Sequence, residues 1–313
     1  MKIPKVRTKD LIDGTELNLE ETLAIFEFAA ELKNNLRKGK MREYLARKSL
    51  AMIFEKNSTR TRVSFEIGMY QLGGQAIFLS GNDIQISRGE TLSDTAKVLS
   101  RYAAGIMIRT DKHEKAVKLA EESDVPVING LTDMYHPCQA LADMFTIYER
   151  QKSFKGVKLT YLGDGNNVAH SLLIICSLLG ADISIASPKG YQPDPGITAT
   201  AQKLAASSGS ELLVTADIAK AVKEANYLYT DVWTSMGQEK ETAKRRKAFL
   251  SYKITNALLK KAAPDCMVMH CLPAHRGEEI DADVIDSDRS VIFDQAENRL
   301  HVQKAVMCAL MKK

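Results

Sequence analysis

The sequence lacks a long apolar run, any strong excess of one charge and any aromatic-rich basic motif. The best apolar run, Leu172 to Gly180, is far too short to cross a bilayer. A formal net charge of +4 over 313 residues is too small to predict a nucleic-acid-binding protein, and zinc-finger spacing is missing as well. We therefore expect neither a membrane nor a nucleic acid as partner, although local positive charge can still serve a small anionic substrate.

Cysteine is scarce and scattered, with no CxxC pair. The five residues are Cys138, Cys176, Cys266, Cys271 and Cys308. An odd count without pairing argues against a disulfide framework and for a reducing compartment. The first residues, MKIPKVRTKD, contain no apolar core of a signal peptide. We therefore expect a cytoplasmic location.

The length and the order of apolar segments predict two α/β domains. A chain of 313 residues is long enough for two cores. Short strand-like segments alternate with helical segments, which is typical of a parallel sheet flanked by helices. The first set of predicted strands is SLAMIF (49–54), QAIFL (75–79), GIMIR (105–109) and PVING (126–130). The second set is VKLTYLG, DISIAS, ELLVT, NYLYT, CMVMHCL and SVIFD, between residues 157 and 294.

Helical spacing in HPCQALADMFTIYER (136–150) predicts a helix that joins the two halves. We therefore expect one domain over residues 1–148 and a second over 149–299. Residues 298–313 also have a helical pattern, and we expect residues 300–313 to pack back on the first domain. The predicted fold class is α/β, with two mostly parallel sheets flanked by helices and joined by interdomain helices.

The segment FEKNSTRTRVSFE (54–66) predicts an anion site. A strand, a polar turn and a helix over roughly 60–72 would place Ser58, Thr59 and Thr61 at a helix N-terminus, beside Arg60. Unpaired N–H groups and the helix dipole favour an anion there, and a guanidinium binds two phosphate oxygens at once. The segment is not a Walker P-loop, because its glycines and lysine are missing. The alternative is ordinary capping beside solvated arginines.

Two further segments offer polar groups at predicted strand-to-helix junctions. In HPCQ (136–139), His136 and Gln139 can donate to a substrate oxygen, or His136 can merely cap a helix. GDGNN (163–167) is similar to the start of a dinucleotide fingerprint. However, Val168 stands where that fingerprint needs a small residue, and Ser187-Pro188 follow the next strand in place of an acidic residue. Adjacent asparagines suit a polar ligand such as an amino acid instead.

DVWTSMG (231–237) and HCLPAHRGEE (270–279) follow predicted buried strands, where ligands of open α/β sheets bind. Asp231 can orient or deprotonate an ammonium group. Cys271 with His270 and His275 suggests a metal site or a Cys/His nucleophile. Neither is well supported, because further zinc-ligand spacing and a third group to orient a base are absent from the pattern.

Taken together, these motifs resemble the carbamoyltransferase family, and within it the ornithine branch. The resemblance covers nearly the whole chain and keeps the order of the family's motifs. The motifs are STRTR (58–62), the loop 83–101, Arg109, HPCQALAD (136–143), GDGNN, DVWTSMG, HCLPAHRGEE and Arg299. The resemblance implies attack of the side-chain amine of L-ornithine on carbamoyl phosphate, which gives L-citrulline and phosphate without a covalent intermediate, as in arginine biosynthesis.

The resemblance also implies a role for each matching residue. Those expected to bind carbamoyl phosphate are Ser58, Thr59, Arg60, Thr61, Gln85, Arg109, His136, Gln139, Cys271, Leu272 and Arg299. Those expected to bind ornithine are Asn167, Asp231, Ser235 and Met236. The expected catalytic residues are Arg109, His136, Asp231 and Cys271, with Cys271 as a binding group near the amine. Gln85 is expected to reach a neighbouring subunit's site, so a homotrimer that can assemble further is implied. No metal or cofactor is expected.

Three alternatives remain at the level of sequence. An acceptor with two amines and one carboxylate suits Asp231, whereas a second anion such as aspartate would be repelled. Putrescine has the amines without the carboxylate and is the nearest rival acceptor. An NAD-linked dehydrogenase built on GDGNN lacks the required acidic residue. A non-catalytic anion-binding protein would need the motifs of the phosphate site but not those of the ornithine site, and this sequence has both.

Overall fold

The computed structural model describes residues 2–234 and 239–312. Within that part of the chain, no helix combines the length and the apolar character needed to cross a membrane. The chain forms two compact units. One comprises residues 1–145 with 297–313, and the other comprises residues 146–296.

The first unit contains a four-stranded parallel sheet. Its strands are β1 (Ser49–Phe54), β2 (Gln75–Ser80), β3 (Gly105–Arg109) and β4 (Val127–Leu131), in the order β2-β1-β3-β4. Its helices are α1 (Leu19–Arg37), α2 (Thr59–Gln71), α3 (Leu92–Tyr102) and α4 (His113–Glu122). All five residues of β3 are buried, as expected for a central parallel strand that is covered on both faces. Because β1 and β3 pair in parallel, their carboxyl ends are neighbours.

The second unit contains a five-stranded parallel sheet in the order β7-β6-β5-β8-β9. Its strands are β5 (Lys158–Leu162), β6 (Asp182–Ala186), β7 (Leu212–Thr215), β8 (Tyr227–Thr230) and β9 (Met267–His270). Its helices are α6 (Asn167–Leu179), α7 (Pro195–Ser208), α8 (Ile218–Val222), α9 (Thr242–Phe249), α10 (Asn256–Leu259) and α11 (Ala282–Ile285). The order places β5 between β6 and β8, so the chain reverses its direction of sheet growth at β5. Ligands of such sheets bind at this position.

Two helices carry the chain across the unit boundary: α5 (Pro137–Gln151) and α12 (Ile292–Met311). The α/β fold with two parallel sheets is confirmed. α1 begins with a capping box, in which Asn18 accepts from the Glu21 N–H and Glu21 accepts from the Asn18 N–H. This pairing satisfies N–H groups that the first helical turn leaves free.

The expected strand SVIFD (290–294) is wrong. Only Ser290 forms a β-bridge, to Val268, and the chain enters α12 at Ile292. Val291 and Ile292 are buried, and a short apolar run of this kind does not distinguish a strand from a buried helical turn. Asp294 in the first turn favours the helix through its dipole. The C-terminal helix is accordingly longer than the predicted 298–313.

Candidate active site

The STRTR segment forms the N-terminus of α2, directly after β1. Ser58 is the N-cap, and its side chain accepts from the Thr61 N–H at 3.2 Å. The first turn contains no acidic residue, so nothing on the helix itself neutralises the positive end of its dipole. Thr61 is buried, whereas Thr59 is exposed and Arg60 is half-buried. An anion bound here would meet free backbone N–H groups, hydroxyls and one guanidinium.

Arg62, the second arginine of the motif, points to a different environment. Its Nε donates to Glu66 Oε1 at 3.0 Å, and its guanidinium lies 3.7 Å from the centroid of the Phe78 ring. Arg62 is therefore the partner of an acidic neighbour on the same helix. The two arginines of STRTR separate because they lie two residues apart on a helix, on different faces.

Two more guanidinium groups lie near Arg60. Arg109 is the last residue of β3, and Arg299 lies on α12; only 6% and 4% of their surfaces are exposed. Arg299 donates to Gln139 Oε1 and, at 3.2 Å, to Thr61 Oγ1. Burial, followed by the charges of Arg299 and Arg60, lowers the pKa of Arg109 from 12.5 to about 10. All three causes disfavour the charged form, and Arg109 Nε has no hydrogen-bond partner within the described chain.

His136 precedes α5 and shares this environment. Burial lowers its pKa well below 6.5, and the charges of Arg299, Arg109 and Arg60 act in the same direction. The imidazole is therefore neutral at pH 7 and can donate one N–H to a ligand oxygen. Gln139, one turn into α5, donates to Asp143 Oδ1 at 2.7 Å and accepts from Arg299. Its amide is thereby fixed in one orientation.

Two further residues of the predicted motifs, Cys138 and Gln85, lie in environments different from those of the residues next to them in the sequence. Cys138 is fully buried, its thiol donates to the Asn129 carbonyl, and burial raises its pKa to about 12, so it is unreactive. Gln85 is exposed and begins a 3-10 helix, Gln85–Arg88, that follows β2. Within the described chain, Gln85 makes no hydrogen bond to the arginine cluster.

The second unit brings Asp231, Asn166 and Cys271 together at the ends of three adjacent strands. Asp231 follows β8 and is 8% exposed. Its Oδ2 accepts from Asn166 Nδ2 at 2.9 Å, and its Oδ1 accepts from Cys271 Sγ at 3.0 Å and from the Val232 N–H at 2.8 Å. A carboxylate held by three donors is fixed in place and suits an ammonium group. As a donor, the Cys271 thiol carries its proton and is not a thiolate nucleophile.

The GDGNN segment has an asparagine cap and no room for a pyrophosphate. Asn166 caps α6 by accepting from the Val168 and Ala169 N–H groups at 3.0 and 3.2 Å. A Cβ at position 165 would lie 2.2 Å from the Pro193 nitrogen. The space beside Gly165 is therefore filled by the backbone at Pro193. A dinucleotide fingerprint needs this space for its ligand. This arrangement argues against the dehydrogenase alternative.

His270 is the last residue of β9 and has no free ring nitrogen. Its Nδ1 accepts from the Leu272 N–H at 2.8 Å, so Nε2 carries the hydrogen and donates to the buried Glu279 at 3.1 Å. Ligand atoms of Asp231, His270 and Cys271 lie within 4.8 Å of one another. However, a metal requires a lone pair that His270 already uses. His270 instead shapes the backbone at Leu272, which has a φ of 58°.

The structure therefore groups the predicted residues into two sets, one in each unit. The first set contains Thr61, Arg60, Arg109, His136, Gln139 and Arg299; the second contains Asp231 and Cys271, followed by Leu272. Asn167 is the first residue of α6 and lies beside Asn166. Ser235 and Met236 lie outside the described residues.

Two contributors were missed by the sequence reasoning: Asp164 and Arg245. Asn166 was singled out only as one of two adjacent asparagines, although asparagine is also a preferred helix cap. Asp164 and Arg245 form a largely buried ion pair, and they are 81 residues apart in the chain. No local pattern could have paired them.

Comparisons with known proteins place both units in one family. The carbamoyl-P binding domain of aspartate/ornithine carbamoyltransferase matches residues 9–149, and the Asp/Orn binding domain of the same family matches residues 155–310. The chain is 55% identical to an ornithine carbamoyltransferase of Bacillus subtilis over 97% of this chain and 94% of the relative.

Solved structures give the same result. The ornithine carbamoyltransferase of Pyrococcus furiosus is 52% identical, with a TM-score of 0.95 and 99% coverage of both chains. The anabolic ornithine carbamoyltransferase of Campylobacter jejuni is 42% identical, with a TM-score of 0.91 over 97% of this chain and 99% of that one.

Proposed function

Because this chain belongs to the aspartate/ornithine carbamoyltransferase family, we propose that it transfers the carbamoyl group of carbamoyl phosphate to the side-chain amine of L-ornithine. The products are L-citrulline and phosphate, and the activity is that of an ornithine carbamoyltransferase. The observation that carries the proposal is the cluster of half-buried Arg60 with buried Arg109 and Arg299 around a neutral His136, because clustered guanidinium charges are stabilised by an anion. In the second unit, the carboxylate of Asp231 has the opposite charge to the arginines and accepts hydrogen bonds from Asn166 and Cys271.

The phosphate binds at the N-terminus of α2. Ser58, Thr59, Arg60 and Thr61 supply hydroxyl, backbone and guanidinium donors, and the helix dipole adds to the attraction. Gln85 joins them from a neighbouring subunit. Phosphate is the leaving group, so this binding site keeps the anion as the bond between the carbonyl carbon and the phosphate oxygen breaks.

The carbonyl oxygen is bound by donors that are already fixed before substrate arrives. Arg109, the His136 imidazole and Arg299 surround it, and Thr61 and Gln139 complete the set. Attack by the amine places negative charge on this oxygen in the tetrahedral intermediate. Donors aimed at that position stabilise the transition state, and removal of one such donor typically costs about 3 kcal/mol of barrier.

Ornithine binds through the second set of residues. Asp231 takes an ammonium group, with Asn167, Ser235 and Met236 as further contacts. Cys271 and Leu272 lie near the reacting amine. This amine must lose a proton before it attacks the carbonyl carbon, because its ordinary pKa of about 10.4 leaves it charged at neutral pH. No covalent carbamoyl group forms on the protein, in keeping with a Cys271 thiol that is engaged as a donor.

We also propose a homotrimer in the cytoplasm, with a role in arginine biosynthesis. Six exposed apolar side chains on the first unit support assembly. They are Val63, Ile67 and Tyr70 on α2, Ile77 on the edge strand β2, and Val98 and Tyr102 on α3, each at least 41% exposed. Contiguous apolar patches mark interaction sites, and we infer that these side chains contribute to one. Light scattering should give about three times 34.7 kDa; a monomer would refute this part.

An acceptor comparison tests the proposed reaction. Carbamoyl phosphate is supplied with L-ornithine, putrescine, N-acetylornithine or L-aspartate, and the carbamoylated product is identified by mass spectrometry. We expect turnover with ornithine to exceed that with each alternative. Turnover with another amine and none with ornithine would overturn the assignment.

A further inference from the structure

Arg245 contacts several neighbouring groups, although the proposed reaction does not use its charge. It lies on α9 with 4% of its surface exposed. Its Nε donates to the Trp233 carbonyl, and its Nη2 donates to Asp164 Oδ2. The guanidinium lies 5.0 Å from the ring centroid of Tyr191 and 5.4 Å from that of Phe249. A planar fork that bonds two groups and stacks on two rings cannot be replaced by a point charge.

The groups that Arg245 holds are those that fix Asp231. Asp164 belongs to the loop that also presents Asn166, the donor to Asp231 Oδ2. Trp233 follows Asp231 by two residues, and its ring stacks on Phe249 with centroids 6.1 Å apart. Tyr191 accepts from the Gly165 N–H through its carbonyl, at 2.8 Å. One side chain thus joins the loops after β5, β6 and β8.

We propose that Arg245, through its ion pair with Asp164, is a positioning residue that sets the affinity for ornithine without contacting it. The inference rests on the proposed function. Without the ion pair, the loop of Asn166 and the loop of Asp231 lose their shared support, and the carboxylate no longer holds the orientation that an ammonium group requires. The arginine cluster of the first unit keeps all of its own contacts, so carbamoyl-phosphate binding is unaffected.

The charge of Asp164 makes this support dependent on pH. The pKa of Asp164 is raised to about 6, chiefly by burial and also by the charges of Asp231 and Glu241, while Arg245 acts in the opposite direction. The pair is ionised at neutral pH and becomes a neutral acid beside a cation as pH falls through about 6. The same fall in pH leaves the Asp164→Asn variant unaffected, because the asparagine amide does not titrate.

The test compares steady-state constants for both substrates in four variants. We expect Arg245→Gln to raise the KM for ornithine at least tenfold, with the KM for carbamoyl phosphate within twofold of wild type. Asp164→Asn, which is nearly isosteric, should shift the ornithine KM in the same direction, and Arg245→Lys should lie between. Arg246→Gln is the matched control, because Arg246 is the next residue on α9 and is exposed; its constants should match wild type.

Circular dichroism first establishes that each variant is folded. If Arg245→Gln does not fold, Asp164→Asn carries the test alone. Between pH 8 and pH 5.5, the ornithine KM of wild type should approach that of Asp164→Asn. An ornithine KM within twofold of wild type in a folded variant, or an equal rise in both KM values, would overturn the inference. Absence of citrulline formation by wild type would instead refute the proposed function.

Discussion

Replacement of Arg109 by methionine should stabilise the ligand-free protein while it damages the enzyme. The pKa of Arg109 falls from 12.5 to about 10 in the folded state. At about 1.4 kcal/mol per pKa unit, folding disfavours the charged guanidinium by about 3 kcal/mol. This cost is complete below about pH 10 and is lost progressively between about pH 10 and pH 12.5, the pKa values of the folded and unfolded states. Methionine is uncharged and nearly as long, so it removes the cost.

The expected gain is smaller than the full cost, because the guanidinium also packs against its neighbours. Loss of that packing offsets about 1–2 kcal/mol, so we expect the free energy of unfolding to rise by about 1–2 kcal/mol. Urea unfolding followed by circular dichroism measures it, at one fixed protein concentration because assembly contributes to stability. Stabilisation by saturating carbamoyl phosphate, about 2.7 kcal/mol at 100 times the Kd, should largely vanish in the variant, because Arg109 is assigned to the carbonyl oxygen of this ligand.

Arg62→Met is the matched control, because Arg62 lies in the same motif as Arg60 but is exposed and pairs with Glu66. Its ion pair and its contact with Phe78 together contribute about 1 kcal/mol. We therefore expect a change of the opposite sign, with stabilisation by carbamoyl phosphate retained. A ligand-free Arg109→Met that is less stable than wild type and still fully stabilised by carbamoyl phosphate would refute the assignment of Arg109 to this site.

Three further predictions concern the second unit. Asp231→Asn should raise the KM for ornithine by tenfold or more in steady-state assays, because an amide cannot neutralise an ammonium group; an unchanged KM would exclude Asp231 from binding. Cys271→Ser should retain measurable turnover, because a hydroxyl also donates to Asp231; mass spectrometry that traps a carbamoyl adduct on Cys271 would contradict direct attack. Gly165→Ala should lower the thermal unfolding midpoint strongly, because the added Cβ would lie 2.2 Å from the Pro193 nitrogen; a midpoint within about 1 °C of wild type, which corresponds to less than about 1 kcal/mol, would show that the loop yields freely.

Local chemistry explains why part of the site was predictable from the sequence. Ser58 and Thr61 follow a buried strand and precede a helical pattern, so the helix N-terminus at STRTR could be placed in advance. The position of Asp231 and Cys271 after apolar strands likewise predicted that both lie at the carboxyl edge of a sheet. Their hydrogen bond at 3.0 Å depends on the adjacency of β8 and β9, which sequence spacing alone does not fix.

The remaining features depend on tertiary packing. Asn166 and Asn167 are adjacent and chemically identical, and only the direction of α6 decides that Asn166 contacts Asp231. The segment SVIFD has the composition of a strand, yet burial of Val291 and Ile292 beside β9 is compatible with a helix. Arg245 lies in the strongly charged segment TAKRRKAF, where burial of only one of two adjacent arginines follows from the aromatic rings that surround it.

The most direct test of the central claim is a 13C NMR experiment with 13C-labelled carbamoyl phosphate, L-ornithine and catalytic amounts of the protein. The carbonyl signal should move to that of citrulline as phosphate appears in equal amount, at a rate proportional to protein concentration. The same rate of carbamoyl phosphate loss with and without ornithine, and no citrulline signal, would contradict the account.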